Sequence, residues 1–423
     1  MEKLYKNSSW NVTSVIIPAL IAIPSLGILA RGLGPDFFGL YSLIFIVLGY
    51  SGIFDAGVTK SVVYFVSNSK NCDKEINNLV STACLLLFTL SFMVVLPIVY
   101  FADDLIFTLT GDPSKAHHEF TLGIRLALLS IPLIMLNLVF QGFFEGRSKF
   151  YELSLIKIAV NPLSSLLPAL STIIIGTLKA AILSLIIAKV ISLIAIFLFY
   201  VRDLNHRGQS FGSVSILSLR KLIKFGGWIS LSNILSPIMN TFDRFIVAAI
   251  NGAANLSFYS IAADAISKLT IFPVAVSKVI FPIFSNSSKE SIHRDVREKS
   301  VQMIAFPMVI LTVLGIIFSE KIILIWFGSE YLGNTIVVFQ ILLIGLLFNS
   351  LAQIPYSVIQ ARGYANYTAL LHSLEIIPHI LFLWFMVTSY GIIGAALSIT
   401  IRSAVDALLL ILIEKKINAK SRI

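Results

Sequence analysis

Charge is scarce in this sequence. Only 13% of its 423 residues are Asp, Glu, Lys or Arg, where a soluble domain carries roughly 25%. A chain so short of charge cannot cover itself with a surface that faces water, because even a large globule leaves much of its area exposed. A soluble fold is therefore excluded, and lipid must be the solvent. Cysteine is nearly absent too, with Cys72 in a polar connection and Cys84 inside an apolar run. Without a CxxC or a Cys/His cluster, neither a disulfide framework nor a structural metal site is expected. There is no P-loop, no GxSxG and no HExxH, so ATP hydrolysis and those hydrolytic chemistries are not expected, nor is any cofactor. His117 and His118 read as a solvated pair in an acidic connection. The net charge of +10 raises nucleic acid as a partner, but no basic-aromatic module accompanies it, and nucleic-acid binding is not expected.

Hydrophobic residues, by contrast, make up 57% of the chain, with a mean hydropathy of +0.90. A membrane-spanning helix needs about 20 apolar residues. Twelve such runs follow one another from 11–30 to 391–413. Strands of a membrane barrel would alternate over about ten residues, which these runs do not. The first run resembles a signal sequence but is long for one and contains Pro18 and Pro24, so it reads as a retained helix. The expected fold is all-α and integral to the membrane, with about twelve transmembrane helices. The predicted domains are a six-helix bundle at 1–201, a linker at 202–224 and a second six-helix bundle at 225–423.

Lysine and arginine set orientation. One set of connections holds twenty-one of them, including the cluster Arg202, Arg207, Arg220, Lys221 and Lys224; the other holds only Arg31, Lys115, Lys179 and Lys321. Both termini are therefore predicted to face the cytoplasm. Laying 4–69 over 222–287 gives seventeen identities in sixty-six positions without a gap. Trp10/Trp228, Gly34/Gly252, Tyr41/Tyr259 and Lys60/Lys278 are among them, and apolar composition alone does not produce such matches. With six runs in each half, the repeats are parallel, as in some secondary transporters.

Ionisable groups at membrane depth cost roughly 3 kcal/mol, so they are expected to face a cavity or a partner. The basic ones are Lys60, Arg125, Lys189, Arg244, Lys268, Lys278 and Arg402, and the acidic ones Asp55, Asp243, Asp264, Glu375 and Asp406. Asp264/Lys268 and Arg402/Asp406 are four apart, where one helix face lets them neutralise each other. Lys60 and Lys278 lie near span ends and have snorkelling open to them. Lys189 is mid-span with no charge four positions away. The basic excess suits a polyanion such as a diphosphate. Lys60, Lys189, Arg244 and Lys278 are the candidate diphosphate ligands, and Asp243, Asp264 and Glu375 the candidates for ion coupling.

The segment Ala30-Arg31-Gly32-Leu33-Gly34-Pro35 with Phe38-Gly39-Leu40-Tyr41 resembles a signature of the polysaccharide transporter family. Phe225-Gly226-Gly227-Trp228, Asp243-Arg244, Gln360-Ala361-Arg362-Gly363 and Tyr390-Gly391-Ile392-Ile393-Gly394 fit the same pattern in order and spacing. The resemblance is to Wzx-type O-antigen or capsule flippases, in the superfamily that also holds multidrug cation antiporters and the lipid II flippase. It implies two pseudo-symmetric bundles forming a V-shaped cleft in a bacterial inner membrane. It also implies a lipid-linked oligosaccharide substrate carried on undecaprenyl diphosphate, with an O-antigen polymerase and a chain-length regulator as partners. A drug/cation antiporter on the same fold and a membrane glycan-modifying enzyme remain the alternatives. Short outer connections weigh against the enzyme.

Overall fold

In hydrocarbon each unpaired backbone N–H or C=O costs several kcal/mol, so a spanning chain without barrel alternation must close its hydrogen bonds within helices. A computed structural model describes residues 2–49, 51–68, 73–101, 115–286 and 290–420, and no strand occurs among the described residues. The first helices are α1 (Glu2–Gly49), α2 (Val58–Asn68), α3 (Asp73–Tyr100) and α4 (Lys115–Gly146). They are followed by α5 (Phe150–Val160), α6 (Leu163–Ile174), α7 (Leu178–His206) and α8 (Ile216–Leu269). The remainder are α9 (Ile271–Asn286), α10 (Glu290–Ile317), α11 (Ser319–Trp326), α12 (Asn334–Ala361) and α13 (Ala365–Lys420). Nine helical stretches among the described residues are long and apolar enough to cross a membrane.

Three helices are too long to be single spans. α8 has 54 residues and α13 has 56. At about 1.5 Å per residue each would reach roughly 80 Å, against a hydrocarbon core of about 30 Å. Each bends at a glycine instead. Gly34 in α1 has φ 71° and ψ 173°, and Gly252 in α8 has φ 81° and ψ 174°. That corner of backbone space is open essentially to glycine alone. These two glycines are partners in the sequence repeat, so the duplicated sequence carries a duplicated bend. Gly391 (φ 59°, ψ −139°) breaks α13 in the same way.

The repeat extends to packing. A Cβ on Gly32 would lie 2.6 Å from Thr172 Cβ, so the first bend of the N-terminal half sits against the end of α6. In the C-terminal half, a Cβ on Gly391 would lie 3.7 Å from Asn251 Nδ2, next to the Gly252 bend. A 3₁₀ turn at Ser51–Asp55 interrupts the chain between α1 and α2. Leu269, where α8 stops, lies 218 residues after Ser51.

The chain forms two compact units, Met1–Thr241 and Phe242–Ile423. The boundary falls within α8 because the first turns of that helix pack into the N-terminal unit. A Cβ on Gly57 would lie 2.3 Å from the Gly226 carbonyl oxygen. Ser61 Oγ donates to the Leu222 carbonyl at 3.3 Å, and the Phe225 and Tyr64 rings stack with centroids 4.3 Å apart. Residues 207–215, between α7 and α8, form a strap over the start of α3. Asn77 Nδ2 donates to the Ser210 carbonyl (3.1 Å), Ser213 N to Asn78 Oδ1 (2.8 Å) and Ser215 N to Thr82 Oγ1 (3.0 Å).

Ion pairs close one end of each unit. In the first, Asp73 takes Arg147 and Arg207, while Asp203 takes Lys149 and Arg207, whose Nη2 lies 2.7 Å away. In the second, Arg297 forks onto Glu414 at 2.5 and 2.9 Å. All these residues lie toward the predicted cytoplasmic side. Small residues let α12 approach α13 closely: a Cβ on Gly345 would lie 2.8 Å from Thr400 Oγ1, which donates to the Ile341 carbonyl at 2.9 Å.

Candidate functional site

The Gly252 bend folds α8 back on itself, so residues twenty apart in sequence meet. Arg244, 8% exposed, donates from Nη2 to Asp264 Oδ1 at 2.7 Å. Beside it, the buried Tyr259 hydroxyl donates to Asp243 Oδ2, while Asp243 Oδ1 has no hydrogen-bond partner among the described residues. Arg402 of α13 lies within electrostatic range of Asp243. Arg402 also faces Glu375, as do His372 and Asp406. Both Glu375 carboxylate oxygens are buried without a partner among the described residues, as is His379 Nδ1. His372 Nε2 lies 3.3 Å from Asp406 Oδ1. At spacings of three and four, His372, Glu375 and His379 share one face of α13.

The C-terminal unit thus gathers four carboxylates (Asp243, Asp264, Glu375 and Asp406) around two guanidiniums (Arg244 and Arg402). A buried carboxylate with no donor is costly unless it takes up a proton or a cation. That is chemistry the cluster can perform.

The repeat separates this cluster from the scaffold. Shifting by 218 places Asp243, Arg244 and Asp264 on Ser25, Leu26 and Ile46, while Tyr259 falls on Tyr41. Ser25 Oγ donates to the Ile21 carbonyl at 2.8 Å, and Ile46 is buried. The N-terminal unit therefore makes the same bend with no counterpart of the Arg244–Asp264 pair, and the charges at these positions of the second bend are additional to it.

Of the other sequence candidates, Lys60 is exposed on α2 and makes no hydrogen bond or ion pair among the described residues. Asp55, close by, is occupied by Thr59, whose N (3.0 Å) and Oγ1 (2.7 Å) both donate to it. Lys189 is partly buried in the middle of α7, again without a carboxylate partner among the described residues. One turn along, Ser192 Oγ accepts from Asn137 Nδ2 at 2.9 Å, and Gln141 Nε2 donates to Asn137 Oδ1 at 2.5 Å. The Lys278 side chain lies outside the described residues, as does the Cys72 connection. The structure brings Asp243, Arg244 and Asp264 together and joins Glu375 to them through Arg402. Lys60 and Lys189 belong to the other unit.

Two expected pairings differ. Asp264 pairs with Arg244 across the bend instead of with Lys268, and Asp406 faces His372 instead of closing on Arg402. Spacing along one helix cannot register a partner delivered by a bend. His372, His379 and the Asn137–Gln141–Ser192 layer were missed. Their signal was polar residues at helical spacing inside apolar runs.

Residues 4–288 match the family described as polysaccharide biosynthesis protein. A Shigella flexneri protein described as "Putative O-antigen transporter" is 39% identical over 411 residues, 96% of each chain. The chain belongs to the polysaccharide biosynthesis protein family. Its fold is that of the MOP superfamily. An inward-facing multidrug resistance MATE family transporter of that superfamily superposes with a TM-score of 0.77 at 16% identity, covering 97% of this chain and 99% of that one. The lipid II flippase MurJ, in an inward closed conformation, gives 0.76 at 16% identity over 97% and 87%. The expected all-α, polytopic membrane fold is thus the observed one.

Proposed function

We propose that this protein is a flippase for undecaprenyl-diphosphate-linked oligosaccharide repeat units, of O-antigen or of a capsule or exopolysaccharide. It carries them from the cytoplasmic to the periplasmic leaflet of a bacterial inner membrane by alternating access. The 39% identity to the Shigella protein along 96% of both chains is the observation that carries this reading. In this account the chain crosses the membrane twelve times, with the long helices divided at Gly34, Gly252 and Gly391, both termini cytoplasmic, and bundles at 1–201 and 225–423. The prenyl tail stays in lipid while the diphosphate is held by Lys60, Lys189, Arg244 and Lys278. Lys60 and Lys189 carry most of that binding, since neither is held in an ion pair among the described residues, although Asp55 lies within electrostatic range of Lys60. Asp243, Asp264 and Glu375 take the coupling proton or cation, which the unpartnered oxygens of Asp243 and Glu375 favour. The flipped unit passes to a membrane polymerase and its chain-length regulator.

The test is complementation of a deletion strain. Wild-type protein is expected to restore surface polymer, and the Lys60→Ala/Lys189→Ala double variant to express normally but restore under a tenth of it. Full restoration by that variant overturns the diphosphate site. Unchanged polymer in the deletion strain, together with new sensitivity to cationic drugs, overturns the flippase reading in favour of an antiporter.

A further inference from the structure

The N-terminal unit contains a pocket of about 440 Å³ that none of the preceding chemistry uses. Its walls are Cys84 of α3, Leu136 and Phe140 of α4, and Leu193 and Phe197 of α7. Phe211 of the strap forms its lip, stacked on Phe197 with centroids 6.0 Å apart. The lining is almost wholly apolar, and one polar group stands out. Tyr200 also lines the pocket and is 1% exposed, yet its hydroxyl has no hydrogen-bond partner among the described residues. A buried hydroxyl left unmatched is the kind of group a ligand's acceptor satisfies.

That hydroxyl stands at a junction. It lies within electrostatic range of Cys84, inside the pocket, and of Arg147, Asp203 and Arg207, in the ion-pair cluster at the predicted cytoplasmic end. The cluster has three cations (Arg147, Lys149 and Arg207) against two carboxylates (Asp73 and Asp203), which leaves it net positive. Arg147 Nε has no hydrogen-bond partner among the described residues. On the last turns of α7, just before Arg207, Arg202 and His206 line a second, shallow groove. Two of the apolar pocket's lining residues on α7, Ile194 and Phe197, are themselves exposed, as are Leu85 and Phe88 close to Cys84 along α3, and these are apolar side chains of the kind that face acyl chains. A ligand that enters from there is a lipid. One that meets a positive cluster at the headgroup end is an anionic lipid.

We propose that this pocket is a binding site for a single anionic phospholipid of the cytoplasmic leaflet. One acyl chain lies between α3, α4 and α7. The Tyr200 hydroxyl donates to an ester or phosphate oxygen, and the headgroup rests on the Arg147/Arg207 cluster. The strap at 207–215 lies over the same site, so the lipid braces the segment that leads into α8. This assignment does not depend on the flippase reading.

The test is native mass spectrometry of the full-length protein in detergent, titrated with phosphatidylglycerol or phosphatidylcholine. One phosphatidylglycerol is expected to be retained at least about tenfold more tightly than phosphatidylcholine. Leu193→Trp, which fills the pocket, is expected to lose that one lipid, and Tyr200→Phe to weaken it several-fold. A second measurement covers misfolding of the Trp variant. In a Cys72→Ser background Cys84 is the only cysteine, and phosphatidylglycerol is expected to slow its alkylation by a membrane-permeant maleimide. Equal retention of the two phospholipids, or alkylation that phosphatidylglycerol leaves unchanged, overturns the proposal. Displacement of phosphatidylglycerol by equimolar undecaprenyl phosphate also overturns it, and assigns the pocket to the prenyl tail of the substrate.

Discussion

The N-terminal unit is a natural control for the Arg244–Asp264 pair, because it makes the same bend with Leu26 and Ile46. Replacing Asp264 alone by Ile leaves the Arg244 guanidinium, in a side chain 10% exposed, without the carboxylate it donates to, while Asp243 stays within electrostatic range. Removing one partner of a buried pair typically costs about 3–5 kcal/mol, whereas replacing both by packed apolar residues is often neutral or stabilising. At about 1.4 kcal/mol per decade, the single variant should lose roughly two to four decades in its folded-to-unfolded ratio. Arg244 also lies within electrostatic range of Asp243, so the triple variant Asp243→Ser/Arg244→Leu/Asp264→Ile, which copies the first bend, should recover most of that loss. Both variants are expected to abolish polymer export, since the proposed function assigns the charges at this corner to transport and not to the bend. Stability would be read from unfolding of purified protein in mixed micelles, and function from surface polymer in the deletion strain. A triple variant as unstable as the single one would refute the argument that the scaffold tolerates an uncharged corner. A stable triple variant that still exports polymer would refute the functional half.

Other variants probe the remaining features. Ala at Gly34 or at Gly252 forces a side chain into a backbone region nearly closed to it, and should cost about 1–3 kcal/mol at either bend, measured by the same unfolding assay. Glu375→Gln removes a proton or cation acceptor while keeping shape. It is expected to leave substrate binding intact and to make flipping in vesicles insensitive to an imposed ion gradient. Single cysteines placed at Arg220 and at Lys179 should label from opposite faces of the membrane, Arg220 from the cytoplasm, as the lysine and arginine bias requires.

Much of this architecture is legible in the sequence, because a membrane span advertises itself by length and hydropathy. The repeat was legible through its rare residues, and Gly34 with Gly252 shows why such a match persists: both occupy a conformation that other residues avoid. The site was read less completely. Helical spacing paired Asp264 with Lys268, but the bend at Gly252 brings Arg244 closer than any neighbour on the same helix face. The His372–Asp406 contact likewise needs the bend at Gly391 to exist. Lys189 has no charge four positions away in the sequence, and it makes no ion pair among the described residues. The amide and hydroxyl layer near it on α4 and α7 depends on two helices packing, and no single run announces that.

The most direct test of the account follows the substrate itself. Purified protein would be reconstituted into sealed vesicles whose outer leaflet carries undecaprenyl-diphosphate linked to a labelled repeat unit, and the label accessible to an external diphosphatase would be followed over time. The account predicts that label becomes protected in wild-type vesicles, and that protection falls to the protein-free rate with the Lys60→Ala/Lys189→Ala variant. Label that stays fully accessible with wild-type protein, with or without an ion gradient, would contradict it.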